Sequence, residues 1–201
     1  MAAAAQRDFA QFVQFNVQTR SGTLPGEFPL DVSDIQDLKD AKLGHGFPIY
    51  TVDPKDLLQG RGDMRSMAKP SGEWRFVITL EGRPIGLATV EQVNGRWETT
   101  SYGASGLARE LDAAATVHGN AARSNVRVIR IYQAMSDLLE VVSPSDARAR
   151  FAPLHSARQM LQAQKATGKA ALASNSDQLL EQSDLIEPLR ASVKSNMEAF
   201  R

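Results

Sequence analysis

Trp74, Phe76, Ile78 and Leu80 alternate with Arg75, Val77 and Thr79, a period of two with one large apolar face. The alternation predicts a half-buried strand. Glu81, Gly82, Arg83 and Pro84 break the run, and Ile85 to Val93 resumes it before Asn94 and Gly95. Asn-Gly between extended runs predicts a type I′ hairpin, whose two central residues both need positive φ. A two-residue loop fixes the register: Val93 faces Arg96, Gln92 faces Trp97, Val90 faces Thr99 and Leu87 faces Tyr102. It also opposes Glu91 to Glu98, which calls for open solvent or a cation such as Arg96. Two carboxylates without a third oxygen ligand favour solvation over a metal.

Beyond Gly103 the period changes, with Leu107, Leu111 and Ala115 at i, i+4 and i+8, Ser105 placed to cap and Gly119 placed to stop a helix. Val126 to Gln133 and Leu138 to Ser143 predict a strand pair around a polar turn that includes Ser136 and Asp137. Arg148 to Leu154 predicts a further strand after a turn at Pro144, Ser145 and Asp146. The fold class that follows is α+β: a mostly antiparallel sheet of five to seven strands, ordered meander, helix, meander, with helices packed from both flanks.

In the N-terminal flank, Ser33 with Gln36 forms a capping-box pattern ahead of a short helix carrying Ile35 and Leu38, and Asp53 with Pro54 is an N-cap followed by proline at N1. Phe47 to Val52 predicts an edge strand, because proline (Pro48) is tolerated at an edge. Gly44, His45 and Gly46 read as a flexible turn, and the four alanines after Met1 fit either a frayed end or the remainder of a cleaved export signal. At the far end, Leu189, Val193, Met197 and Phe200 share one helical face after Pro188. That face calls for a covering surface, either the chain's own sheet or a second copy in a homo-oligomer. The organisation read here is a single domain over 1–201, with flanking helices and an edge strand in 1–72, the sheet and its inserted helix in 73–155, and a helical region in 156–201.

Composition narrows the classes. With 201 residues and 42% hydrophobic content, the chain has enough apolar surface for a core. Twenty-three basic against 23 acidic residues leaves no overall field to hold nucleic acid. Absence of cysteine excludes disulfides, zinc ribbons and thiol nucleophiles, and three scattered histidines make a poor metal set. No phosphate loop or dinucleotide fingerprint occurs, so no cofactor is expected, and no apolar run reaches the roughly 18 residues of a membrane span. Exported and cytoplasmic locations both remain open.

Several motifs carry candidate chemistry. Gly103, Ala104, Ser105 and Gly106 sit at a strand-to-helix junction like a nucleophile elbow, with His118 or His155 as base and Asp137 or Glu140 as acid, although Leu107 replaces the final glycine. Arg61, Gly62 and Asp63 form an RGD tripeptide in a predicted loop. Asp31, Asp34, Asp37 and Asp40 recur every third residue and spiral around a helix instead of converging on one ion. Arg123, Arg127, Arg130, Arg148, Arg150 and Arg158 gather basic charge, but Arg127 and Arg130 point to opposite faces of a strand, which argues for solvated arginines.

The reading these observations favour is a non-catalytic module that binds a small molecule or a protein. Its predicted site lies beside the 105–118 helix, where Tyr102, Arg127 and Tyr132 orient a ligand against a wall of Leu107 and Leu111. The same residues also suit plain packing of helix on sheet. A serine hydrolase using Ser105 and a structural subunit assembling through the C-terminal helix are the alternatives.

Overall fold

The computed structural model describes residues 1–20, 24–60, 62–143, 146–166 and 178–199. In chain order the elements are α1 (Ala2–Thr19), a 3-10 helix (Ile35–Lys39), β1 (Lys42–Val52), α2 (Pro54–Gln59), α3 (Met64–Met67), β2 (Ala68–Leu80), β3 (Arg83–Val93) and β4 (Arg96–Gly103). There follow α4 (Ser105–His118), β5 (Val126–Ile131), a 3-10 turn (Tyr132–Ala134), β6 (Ser136–Ser143), β7 (Asp146–Pro153), α5 (His155–Ala166) and α6 (Gln182–Ala199). The fold is α+β, with a seven-stranded sheet in the order β4-β3-β2-β1-β5-β6-β7. Pairs β2–β3, β3–β4, β5–β6 and β6–β7 are antiparallel, and β1–β5 is parallel. The chain divides into two compact units, Met1–Pro48 with Gly72–Ala113, and Ile49–Ser71 with Ala114–Arg201.

In the first unit Phe76 and Ile78 of β2 are buried, with Trp74 and Leu80 packed against the same core, but Val77 on the opposite face is buried as well, so the strand is covered on both faces there and not half-buried. Ala5 and Phe9 of α1 join them, so the alanine-rich stretch is the start of a packed helix and is not frayed. The capping box lies one residue beyond the expected Ser33 and Gln36. Asp34 accepts from the Gln36 N–H at 2.8 Å and Asp37 accepts from the Asp34 N–H at 3.1 Å, ahead of buried Ile35 and Leu38. Asp31 accepts from both Arg83 and Arg109 at 2.8 Å, so that carboxylate is paired and not merely solvated. Gly44, His45 and Gly46 are strand, not turn. A Cβ at Gly46 would lie 2.4 Å from Cε1 of Phe76, so the glycine is required by the ring lying over it.

The Asn94-Gly95 hairpin forms with φ of 50° and 78°. Its register runs as expected from Val93↔Arg96 to Val90↔Thr99, including Glu91↔Glu98. There it slips: Thr89 pairs with Ser101, leaving Thr100 as a bulge, so Tyr102 lies opposite Ala88 instead of Leu87. One extra residue exchanges the faces of everything beyond it. Tyr102 is thereby turned to the α1 side, where its ring stands 4.2 Å from that of Phe12. Ser105 is the first helical residue of α4 and not its cap, since Ala104 precedes it with φ of 55° and accepts the Ala108 N–H at 2.9 Å.

In the second unit Leu57, Met64, Ile129, Ile131, Leu138, Phe151, Leu185, Leu189 and Val193 share one buried core. Asp53 caps α2 through the Lys55 N–H at 2.8 Å, with Pro54 at its start, as the sequence predicts. The strand expected at an edge is instead central. β1 pairs with β5 through Ile49, Tyr50 and Thr51, so the missing N–H of Pro48 falls just before that ladder begins. The turn between β5 and β6 lies earlier than predicted, and Ser136 and Asp137 are in β6, exposed by only 1% and 8%. They tolerate burial because Ser136 Oγ donates to the Ala134 carbonyl at 3.0 Å, while Ser156 Oγ donates to Asp137 Oδ2 at 3.1 Å and accepts the Asp137 N–H at 2.9 Å.

Helix α6 begins at Gln182 and carries Pro188 inside it. Leu189 and Val193 are fully used in the core of their own unit, and Met197 is 40% exposed. Phe200, Arg61 of the RGD tripeptide, and Pro144 and Ser145 of the predicted turn lie outside the described residues. Among the described residues no helix is long and apolar enough to cross a membrane.

Candidate functional site

Of the five residues predicted to form a site, Tyr102, Leu107 and Leu111 belong to the first unit and Arg127 and Tyr132 to the second. Tyr102 joins the core under α1, a cluster that Leu107 and Leu111 do not enter. Leu111 is buried. Tyr132 lies half-exposed, with the Arg130 guanidinium 5.2 Å above its ring. Ser105 is in the first unit and His118 and His155 in the second. The positive φ beside Ser105 is that of Ala104, whereas an elbow holds the serine itself at the strained point.

Arg127 is the centre of an ionic cluster. It lies directly across from Glu140 in the β5–β6 ladder, and its Nε donates to one oxygen of that carboxylate. Arg65 of α3 brings its Nε to 3.6 Å from the other oxygen. The Arg127 guanidinium also covers the Tyr50 ring at 4.1 Å and donates through Nη2 to the Arg65 carbonyl at 3.1 Å. Glu140 is 1% exposed, and a carboxylate so far from water persists only with compensating cations close by. The two arginines supply them. Arg127 is therefore no solvated arginine, contrary to the reading from its strand position.

Arg65 also lines a cleft of about 730 Å³, together with Asp63, Arg148, Ala149, Glu181, Gln182 and Ser183. Short-range bonds fix its walls. Asp63 caps α3 by accepting the Ser66 N–H at 2.7 Å, which gives the last residue of the RGD tripeptide a structural role. Gln182, the first residue of α6, accepts the Met64 N–H of α3 at 3.0 Å. Just before it, Leu180 and Phe151 of β7 exchange both main-chain hydrogen bonds, at 3.0 and 2.8 Å. Two guanidinium groups, two carboxylates, an amide and a hydroxyl thus converge around one opening, a set suited to orienting a polar ligand.

In the sequence Glu140 stands only as a candidate acid for Ser105. The signal for its actual place was present: one carboxylate within the apolar run from Leu138 to Val142, in a hairpin that sets it opposite an arginine. Arg65 carried no such signal, because its partners come from distant segments. Compared with models of known protein families, with curated proteins and with solved structures, the chain matches none.

Proposed function

We propose that this chain is a non-catalytic binding module whose ligand surface is the cleft between β7, α3 and the start of α6. One observation carries the reading. The Arg65 side chain is 51% exposed in the cleft wall while its Nε stands 3.6 Å from the buried Glu140 carboxylate. A guanidinium held from behind by a buried charge enters binding with part of its rotamer freedom already lost, so less entropy opposes contact with a ligand. The ligand class that fits is polar and carries a carboxylate, for which an arginine fork is the matching partner.

The test is a thermal-shift screen of small carboxylates, amino acids and short peptides against the whole chain and against Arg148→Ala. Arg148 is an exposed cleft residue, so its truncation leaves the core intact. Binders are expected to raise the melting temperature of the parent and to lose most of that gain in the variant, each shift being read against the same protein without ligand. A screen in which no compound class shifts the parent overturns the proposal.

A further inference from the structure

We infer that the ligand of this cleft is a zwitterion, an unblocked amino acid or short peptide whose carboxylate meets Arg65 and Gln182 and whose ammonium meets Glu181; the inference rests on the binding reading above. The charges of the lining balance, the guanidinium groups of Arg65 and Arg148 against the carboxylates of Asp63 and Glu181. A ligand of one sign would meet like charges in the wall, whereas a ligand carrying both signs is complementary to the wall as a whole. A volume of about 730 Å³ lies in the range of small-ligand clefts.

The bonds already made inside the cleft show which groups are left for a ligand. Asp63 spends one oxygen on the Ser66 N–H, and Arg148 is not free. Arg65 is half-exposed beyond its contact with Glu140, and a guanidinium carries more donors than that contact uses. Gln182 has its Oε1 taken by the Met64 N–H at 3.0 Å, which holds the amide next to the residue that precedes Arg65. The amide nitrogen has no partner among the described residues, so it and the guanidinium form the donor set for a carboxylate. Glu181 is the counterpart. It is exposed, and its carboxylate has neither ion pair nor hydrogen bond among the described residues. Its backbone is fixed on both sides, because Leu180 pairs with Phe151 and the Glu181 N–H donates to Asp184 Oδ2 at 3.1 Å. A carboxylate on so fixed a backbone is an acceptor for an ammonium, and the Ser183 hydroxyl is a second acceptor in the same lining. Glu181 and Gln182 are consecutive, so the two ends of the ligand are separated by no more than the length of a short peptide.

Isothermal titration calorimetry of the full chain with the dipeptide Ala-Ala tests this. Two analogues are measured on the same unaltered protein: N-acetyl-Ala-Ala, which lacks the ammonium, and Ala-Ala amide, which lacks the carboxylate. Alanine and N-acetylalanine repeat the comparison with the charges closer together and tell a single amino acid from a peptide as the source. Saturable binding of Ala-Ala or alanine is expected, weakened at least roughly tenfold by either block, the loss that removal of one charge-assisted hydrogen-bonding group produces. Glu181→Gln should weaken the unblocked ligand by a similar factor and leave its acetylated form unchanged, a coupling that a general disturbance of the fold does not produce. Equal affinity for unblocked and acetylated forms, or equal weakening of both by Glu181→Gln, overturns ammonium recognition while leaving carboxylate binding in the cleft standing. Absence of binding by Ala-Ala and alanine alongside a thermal shift with a small carboxylate has the same meaning. Equal affinity for Ala-Ala and its amide, or absence of any binding or shift, overturns the two readings together.

Discussion

The Asp8 carboxylate of α1 accepts the main-chain N–H of Thr99 on β4 at 2.7 Å. Beside it, Arg7 donates to the Trp97 carbonyl at 3.4 Å. β4 is the last strand of the sheet order, and the Thr99 N–H and Trp97 carbonyl are the donor and acceptor a further strand would have used. Two helix side chains thus take the place of a neighbouring strand and keep the edge from pairing with another chain.

Loss of Asp8 should be visible as association. Asp8→Ala leaves the Thr99 N–H unpaired, which should cost about 1 to 3 kcal/mol in a denaturant melt, and sedimentation should reveal larger species at high concentration. The acid limb supplies a second readout. Burial pushes the Asp8 carboxyl up, but hydrogen bonds from Arg7 and Thr99 and the Arg7 charge outweigh it and hold its pKa below the ordinary aspartate value. Its stabilising contribution is therefore present above about pH 4 and fades as the pH falls through the lower folded value. The variant should lack that part of the acid decline.

At the crossing of β1 and β2, Gly46 and Phe76 should prove strongly non-additive. Phe76→Ala empties a buried site and should cost roughly 3 to 5 kcal/mol. Gly46→Ala drives a methyl into the ring and should destabilise alone, yet be almost harmless where Phe76 is already alanine. Urea unfolding of the four proteins in the cycle measures the coupling, expected on the order of 1 kcal/mol or more.

Tyr102 should respond to alkali. Burial raises its pKa to about 12, with the nearby Thr99 partly offsetting, and its hydroxyl is buried without a hydrogen bond of acceptable geometry. A folded value above the unfolded value of about 10 means stability that is present below pH 10 and is lost as the pH rises through 12. Tyr102→Phe should keep or raise the melting temperature at neutral pH, since no bond is lost, and should flatten the decline above pH 10. A marked neutral-pH loss would mean that the hydroxyl has a partner.

Glu140 should be costly to remove alone and cheap to remove with its partner. Glu140→Ala strands Arg127, 19% exposed, beside a gap and should cost about 3 to 5 kcal/mol. Glu140→Leu combined with Arg127→Met replaces the pair by apolar side chains and should lie close to the parent in stability. Chemical denaturation distinguishes the two outcomes.

Features set by neighbours in sequence were legible, and features set by neighbours in space were not. Asn94-Gly95 determined its own turn and the register of the first four pairs, because a two-residue loop leaves no freedom. Nothing local marked Thr100 as a bulge; the slip places Tyr102 where Phe9 and Phe12 can meet it. Helix α1 carried a local signal of its own, alanine's high helix propensity with Phe9, Phe12 and Val13 at i, i+3 and i+4, which reading the terminus as a frayed end or a cleavage remainder passes over. Pro48 announced a missing N–H but not which neighbour went without it. The cleft was the least accessible of all, since Arg65, Ala149 and Gln182 approach only after three separate segments fold.

The parallel contact of β1 with β5 also orders events in time. The ladders β5–β6 and β6–β7 join residues a short turn apart, whereas Ile49 must find Val128 across much of the chain. Closing so long a loop is entropically expensive before any contact rewards it, so pairing of this kind lags behind hairpins during folding. The three residues Ile49, Tyr50 and Thr51 therefore form a late seam: their amides should be among the last protected from solvent exchange during refolding, after the β5–β7 meander has already closed.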